Sequence, residues 1–424
     1  MSVRTPEVHL AELQDLLHKS KPGLSSATES LAISEALGRV VATDIRATID
    51  SPAFDNSQMD GYALNTSQLK GGKFRLGATI PAGTDPKLSC PEGPHDDTVV
   101  AIMTGAAIPT NCAAIIPVEA GTPDTFAAVE SNPDRTVTLP PVAAGSFIRR
   151  QGVDISAGSL IIPAGTVIDA IAIAAMIGQG LKQVEVYRRP RVLICTGGAE
   201  ISDTPSAVTI PDSNAPMLEA LCQQWGLNPI ARLHTNDDPE ILATELSAAI
   251  AKYRPDAVLT SGGISHGRYE VVRQVLEKAP SWFGHVAQQP GGPQGWGIFD
   301  ETPIICLPGN PVSTLVSFRT FVVPLLSPYL SSKKLSSKKP NMGGYQAQLQ
   351  QAVSGLKGGK DQFRRAKVII ASTGQAEVTM VGEAGSHFLA QAIGANCLAR
   401  IPAGADLPIG ATVTIYPLTP ESLI

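Results

Sequence analysis

Two groups of residues carry types and spacings that chemistry can use. The first is the run Phe54-Asp55-Asn56-Ser57-Gln58-Met59-Asp60-Gly61-Tyr62-Ala63, in which two carboxylates, an amide and a hydroxyl fall within six residues. Hard cations such as Mg²⁺ take carboxylate oxygens, so the run reads as a cation or oxyanion site. The same residues also suit an Asx-rich turn. The second group is three small-residue loops: Thr196-Gly197-Gly198, Ser261-Gly262-Gly263 and Pro308-Gly309-Asn310-Pro311. Each follows a short apolar run. Glycines at the C-terminal ends of parallel strands let backbone N–H groups face an anion. One such loop reads as an ordinary turn; three in one sheet point to a phosphorylated ligand.

Several familiar motifs fail. Gly262 to Gly267 has the spacing of a phosphate loop, but Arg268-Tyr269 follow where Lys and Ser/Thr are needed. No strand runs into a dinucleotide-binding glycine pattern. The seven histidines and six cysteines show no zinc spacing, and there is no nucleophile elbow. His266, alone in its loop, reads as a polar contact.

The elements that must hold these groups follow from periodicity. Leu10, Leu13, Leu16 and Leu17 predict a helix over 6–19, and Leu31, Ile33 and Leu37 a second over 28–37. Residues 39 to 150 break into short β-like runs, among them 39–45, 98–103, 114–118 and 135–139. A helix is expected at 168–178. From Arg188 apolar strands (191–195, 229–233, 257–260, 303–307) alternate with helices (214–225, 238–252, 269–278, 312–322), which implies a parallel sheet. A Ser/Lys linker over 331–340 leads to short strands and turns, expected to form a small β-barrel. The reading is an α/β multidomain chain. It has a helical base (1–44 and 151–187), a β-rich insertion (45–150), an α/β domain (188–330) and a C-terminal β-barrel (341–424).

Composition excludes other classes. The 424 residues are 43% hydrophobic and 17% charged, with net charge −5. That balance argues against a nucleic-acid groove or a polybasic membrane anchor. Gly (39) and Pro (34) are scattered, not periodic, so the chain is turn-rich and globular. The cysteines are sparse and no apolar run reaches membrane-helix length, so a reduced, cytoplasmic protein is expected.

Read in order, these motifs resemble one family closely. Ala36–Val40, the Phe54–Ala63 run, Thr104-Gly105-Ala106, Arg150 to Asp154, Arg188–Arg191, Asp212-Ser213-Asn214, Ser261–Gly263, Pro290-Gly291 and Leu307–Ser313 resemble the molybdopterin molybdenumtransferases. That family includes bacterial MoeA and the animal gephyrin E domain. Gly385-Ser386-His387 and Ala395-Asn396 resemble its C-terminal domain. The resemblance implies four subdomains in an elongated, homodimeric chain. It implies an enzyme that takes adenylylated molybdopterin and molybdate, releases AMP and inserts the metal with Mg²⁺. Asp60, Asp154 and Glu270 would be catalytic, with Asp60 and Glu270 holding the metal. Thr196, Gly197, Ser261, Gly262, Gly263, Ser265, Arg268, Pro308, Gly309 and Asn310 would bind the pterin substrate.

The sequence departs from the family pattern at five motifs. Gly-Glu-Asp reads Gly152-Val153-Asp154, and Gly-Asp-Tyr-Asp reads Gly267-Arg268-Tyr269-Glu270. Pro-Gly-Lys-Pro reads Pro290-Gly291-Gly292-Pro293, Thr-Gly-Asp-Glu-Leu reads Thr196-Gly197-Gly198-Ala199-Glu200-Ile201, and Gly-Ala-Asp-Ala reads Asn111-Cys112-Ala113-Ala114. Acids are lost and one phosphate-pairing Lys is missing, which predicts a weakened cation site; Arg268 offsets part of the lost charge. The alternative is a gephyrin-like scaffold that binds a peptide tail of a membrane receptor or of a tubulin-like cytoskeletal partner. Its groove is expected near Phe321, Pro324, Tyr329, Ile401, Pro402 and Pro408.

Overall fold

The computed structural model describes residues 4–95, 97–198, 201, 209–235, 238–264, 270–331 and 342–420. The chain divides into two compact units, one of residues 44–163 and 170–182, the other of 1–43, 164–169 and 183–424.

The first unit is built on a five-stranded sheet in the order Ala114–Pro117, Gly61–Leu64, Thr98–Ile102, Gly72–Ile80, Thr136–Leu139. Its core includes Tyr62, Leu64, Leu76, Val99, Ile116 and Val137. Gly61 opens the strand that follows Asp60. A Cβ there would lie 2.0 Å from the Ile116 carbonyl oxygen of the neighbouring strand, so only glycine lets the two backbones meet. The helix Ala170–Gly178 carries no charge, and Ile171 and Ile177 are 78% and 58% exposed on it.

In the second unit, the helix Pro6–Ser20 starts where Thr5 Oγ1 accepts the Val8 N–H (3.3 Å) and buries Leu10, Leu13, Leu16 and Leu17. Residues 28–37, expected as a helix, instead form the strand Thr28–Ala32 and a single turn at Ile33–Glu35. The strand pairs antiparallel with Gln183–Tyr187, a partner some 150 residues away whose ladder outweighs weak local helix propensity. The expected run 39–45 pairs through isolated bridges at Val40 and Val41, and its last residue, Ile45, opens a two-residue strand antiparallel to Leu160–Ile162.

The α/β sheet has six strands in the order Asn228–Thr235, Arg191–Gly197, Ala257–Ser261, Thr302–Leu307, Pro293–Phe299, Ser281–His285. The first four are parallel; the last two are antiparallel. The four strands expected from the sequence are the parallel ones; the two antiparallel strands were not anticipated, and the last connection explains them. Asp300 and Glu301 alone join Pro293–Phe299 to Thr302–Leu307, both with positive φ (45° and 59°). A two-residue loop of that hand makes a hairpin, whereas a parallel crossover needs a dozen or more residues.

Tyr345–Leu349, Asp361–Ile370, Ala376–Met380, Cys397–Ile401 and Thr412–Pro417 close into a five-stranded barrel, because Asp361–Ile370 also pairs with Cys397–Ile401. Gln288–Gln289 adds to its edge.

The residues expected to line a peptide groove are mostly withdrawn from the surface. Phe321 and Pro324 are buried in the α/β core and Ile401 is fully buried inside the barrel. Tyr329 is partly buried, its hydroxyl donating to the Gly38 carbonyl (2.9 Å); only Pro402 and Pro408 are exposed. Local sequence cannot tell an apolar groove from a core, since both use the same residues. Among the described residues no helix is long and apolar enough to cross a membrane.

Candidate active site

Adjacent strands in register bring the ends of Arg191–Gly197, Ala257–Ser261 and Thr302–Leu307 side by side. One hydrogen-bonded chain ties them together. Thr196 Oγ1 donates to Asp212 Oδ2 (2.6 Å), and Asp212 Oδ1 accepts the N–H groups of Asn214 (2.9 Å) and Ala215 (3.0 Å) at the start of the helix Asn214–Gln224. Asn214 Nδ2 donates to Ser261 Oγ (3.0 Å) and the Gly309 carbonyl (2.6 Å). Ser261 Oγ lies 3.0 Å from Thr314 Oγ1, and both hydroxyls reach the Pro308 carbonyl, at 3.1 and 2.6 Å. Gly197 (φ 147°) has no room for a side chain: a Cβ would fall 2.4 Å from Thr235 Oγ1. The three glycine loops are thus held by buried hydroxyls and one amide, not by their own backbone alone. Asn214 Oδ1 is buried without a partner in the structure, an acceptor open to an N–H donor.

The sequence reading placed Thr196, Gly197, Ser261, Gly262, Gly263, Pro308, Gly309 and Asn310 here, and the structure gathers them. Ser265 and Arg268 lie outside the described residues, as do His266, Gly267 and Tyr269. Asp212, Asn214 and Thr314 were missed as site residues. Asp212 and Asn214 had a legible signal, an Asp-Ser-Asn run directly before a helix.

Beside Asn310 opens a cavity of about 260 Å³, lined among others by His285, Gln288, Gly292, Asn310, Lys360 and Ser386. Its floor is locked by buried amides. Gln288 Nε2 donates to the Gly291 carbonyl (3.1 Å), and Gln294 Nε2 to the same oxygen (2.7 Å) and to Ser317 Oγ (2.6 Å). Across the opening Asn310 Nδ2 reaches Ser386 Oγ (3.4 Å), and Arg365, donating to the Glu383 and Gly385 carbonyls, steadies the loop that carries Ser386.

The acidic run belongs to the other unit and has a different character. Asp60 is exposed, and its Oδ1 accepts both the N–H (2.6 Å) and hydroxyl (2.8 Å) of Thr104. The Thr104 backbone N–H, with its hydroxyl, holds the carboxyl below the usual range. Oδ2 has no partner among the described residues. Asp55 accepts from the Gln151 N–H (2.7 Å) and Arg150 (2.5 Å), and is likewise held low, first by that N–H. Asp154 is exposed, taking a hydrogen bond from Ser51 Oγ (3.0 Å), beside an exposed Val153. Glu270 lies in the second unit, partly buried, immediately before the helix Val271–Leu276. Among the described residues no three metal-ligating side chains cluster. The fit to a cation is therefore one exposed, ionised carboxylate with a free oxygen. That suits Mg²⁺, which keeps its waters and takes one or two carboxylates plus substrate phosphates.

The chain matches the MoeA N-terminal region (domain I and II) over residues 7–180, a probable molybdopterin binding domain over 193–328 and the MoeA C-terminal region (domain IV) over 347–418. It is 31% identical to molybdopterin molybdenumtransferase 2 of Mycobacterium tuberculosis, the alignment covering 98% of this chain and 100% of the relative. It is 31% identical to the molybdopterin molybdenumtransferase of Haemophilus influenzae over 92% of this chain and 94% of that one. In fold it is similar to the molybdopterin biosynthesis moeA protein of Pyrococcus horikoshii, with a TM-score of 0.73, 24% identity, and coverage of 98% of this chain and 100% of that one.

Proposed function

Because this chain belongs to the molybdopterin molybdenumtransferase (MoeA) family, we propose that it acts in molybdenum cofactor biosynthesis, inserting molybdate into adenylylated molybdopterin with release of AMP. The observation that carries this reading is the hydrogen-bonded chain from Thr196 through Asp212, Asn214 and Ser261 to Thr314. It holds three glycine loops open at the ends of adjacent strands. There the loop N–H groups receive the substrate's phosphate, and Asn214 Oδ1 is free to accept from an N–H of the pterin. Asp60, fixed by Thr104, is the carboxylate best prepared to hold a divalent cation. Such a cation, when bound, neutralises charge on the phosphoanhydride as AMP leaves. Val153 and Gly198 stand where the family pattern has acids, so the cation is held weakly.

The test is AMP release from adenylylated molybdopterin by the purified chain, with and without molybdate and Mg²⁺. Molybdate-dependent AMP formation is expected; intact substrate after prolonged incubation would overturn the reading.

The active form is a homodimer in this reading. The helix Ala170–Gly178 supports it, since a chargeless helix with two largely exposed isoleucines favours self-association. Sedimentation is expected to give twice the chain mass, and Ile171→Asp with Ile177→Asp to give the monomer. A monomeric wild type at micromolar concentration would refute it.

A further inference from the structure

Six non-glycine residues among those described have a positive φ, and five of them are polar: Asn111, Arg135, Arg254, Asp300 and Glu301. The sixth is Phe147 (φ 53°), a bulky apolar residue for which that backbone is costly. Its ring is not drawn into a core in return. Phe147 is 39% exposed and stands outside both cores of the insertion sheet. A turn of this kind is made more cheaply by glycine, as at Gly145 (φ 81°) two residues earlier. Strain and exposure together, with no packing to offset them, point to contact with something outside the chain.

The place of the residue says what that something is. Asn56 and Ser57 pair antiparallel with Arg149 and Ile148. The pairing runs on through the Gln58 N–H, which donates to the Phe147 carbonyl (2.9 Å). Phe147 is therefore set beside Gln58, two residues from Asp60. The residue between them, Met59, is itself 37% exposed, and its carbonyl accepts from the buried Ser57 hydroxyl (2.5 Å), which fixes the segment. An aromatic ring and a polarisable thioether thus stand next to an ionised carboxylate with an open oxygen. A planar heteroaromatic ring joined to a phosphate matches both parts: it offers a π-face to Phe147 and Met59, and a phosphate-bound cation to Asp60. A bare ion would leave the ring unused, and an aliphatic ligand would leave the carboxylate unused.

We propose that Phe147 is a stacking residue for a fused heteroaromatic ring, purine or pterin, whose phosphate lies at the cation that Asp60 holds. The inference rests on the function proposed above for the choice of these two rings, but not for the binding of a ring. The strained backbone is held before any ligand arrives. The residues on either side are pinned, Ser146 accepting the Ile115 N–H (3.0 Å) and Ile148 donating to the Gly145 carbonyl (3.4 Å). A side chain whose backbone is already fixed loses less freedom on binding.

The experiment is calorimetric titration of the full chain with AMP and, separately, with neopterin, each with Mg²⁺ present, alongside thermal unfolding. The variants are Phe147→Asn, Phe147→Tyr and the control Leu88→Asn, an apolar residue 84% exposed elsewhere in the insertion. Phe147→Asn is expected to weaken binding about ten-fold through the lost stacking. The same change is expected to raise the thermal midpoint by about 1–4 °C, because Asn tolerates a positive φ. A residue kept only for packing would instead lose midpoint with its ring. Phe147→Tyr keeps a ring and should bind like wild type, and Leu88→Asn should leave binding unchanged. Whichever of AMP or neopterin shows this pattern identifies the ring; if both do, the fused pyrimidine ring they share is what is recognised. Equal binding by wild type and Phe147→Asn overturns the proposal while leaving the transferase reading intact. So does a midpoint that does not rise, a loss of binding in Phe147→Tyr, or a wild type that binds neither compound. Phe147-dependent binding in a chain that never releases AMP from adenylylated molybdopterin would sustain the proposal and sink the transferase reading.

Discussion

The strand-end network and the acidic turn of the insertion use the same kinds of polar residue in opposite ways. At the strand ends, Thr196, Ser261 and Thr314 are buried, and each hydroxyl is engaged by another protein group. In the insertion, Asp60 and Asp154 are exposed, each tied by a single neighbouring residue, Thr104 or Ser51. Buried polar groups carry a desolvation cost that only complete pairing offsets, so they specify shape. Exposed carboxylates cost little to keep ionised and stay available to a cation. One region should therefore register mutation as lost stability, and the other as lost activity.

The sharpest test is Asp60→Ala. Turnover measured as AMP release should fall by orders of magnitude, while the thermal midpoint stays near wild type, because the side chain is exposed. A large drop in midpoint would erase the contrast.

Ser261→Ala is the converse. It leaves the Asn214 amide and Thr314 hydroxyl short of a partner, which should cost about 1–3 kcal/mol in urea unfolding. An unchanged midpoint would show that the network is not structural.

His9 extends the buried side of the comparison. It is fully buried between Trp282 and Phe321, with neither ring nitrogen partnered, and burial, with Arg4 nearby, pushes its pKa down to about 3. The unfolded chain holds this proton below about pH 6.5, whereas the folded chain does not until about pH 3. Stability from this group is therefore complete above the unfolded value and is lost as pH falls, with a slope of at most about 1.4 kcal/mol per pH unit. His9→Leu should flatten that part of the stability–pH curve, read by denaturant midpoints from pH 7 to pH 4.

The smallest effect belongs to Arg150→Met. Its partner Asp55 sits at 2.5 Å, but the arginine side chain is 61% exposed. Exposed pairs contribute roughly 0–1 kcal/mol, so unfolding should shift by less than that. A shift as large as that of Ser261→Ala would mean that the insertion's ion pairs are as structural as the buried network.

Much of the fold was legible because its signals are local. The leucine spacing marked the helix Pro6–Ser20, and apolar runs ending in glycine marked three of the parallel strands. Thr28–Ala32 was not legible as a strand, since its ladder partner is Gln183–Tyr187 and nothing nearby announces it. The antiparallel edge of the sheet was missed because Asp300-Glu301 is not a common type of turn pair, although its positive φ values make the hairpin.

By itself the sequence marked out the candidate site residues: the glycine loops, Asp60, and the glycine at position 292. These are matters of residue type and order, and local rules read them. Tertiary structure alone decided who serves those residues. Asp212 and Asn214 tie three loops into one frame, and Phe321 and Ile401 go to cores instead of a groove. Those outcomes depend on contacts between residues far apart in the chain. No short window of sequence holds both partners of such a contact, so only the folded chain brings them together.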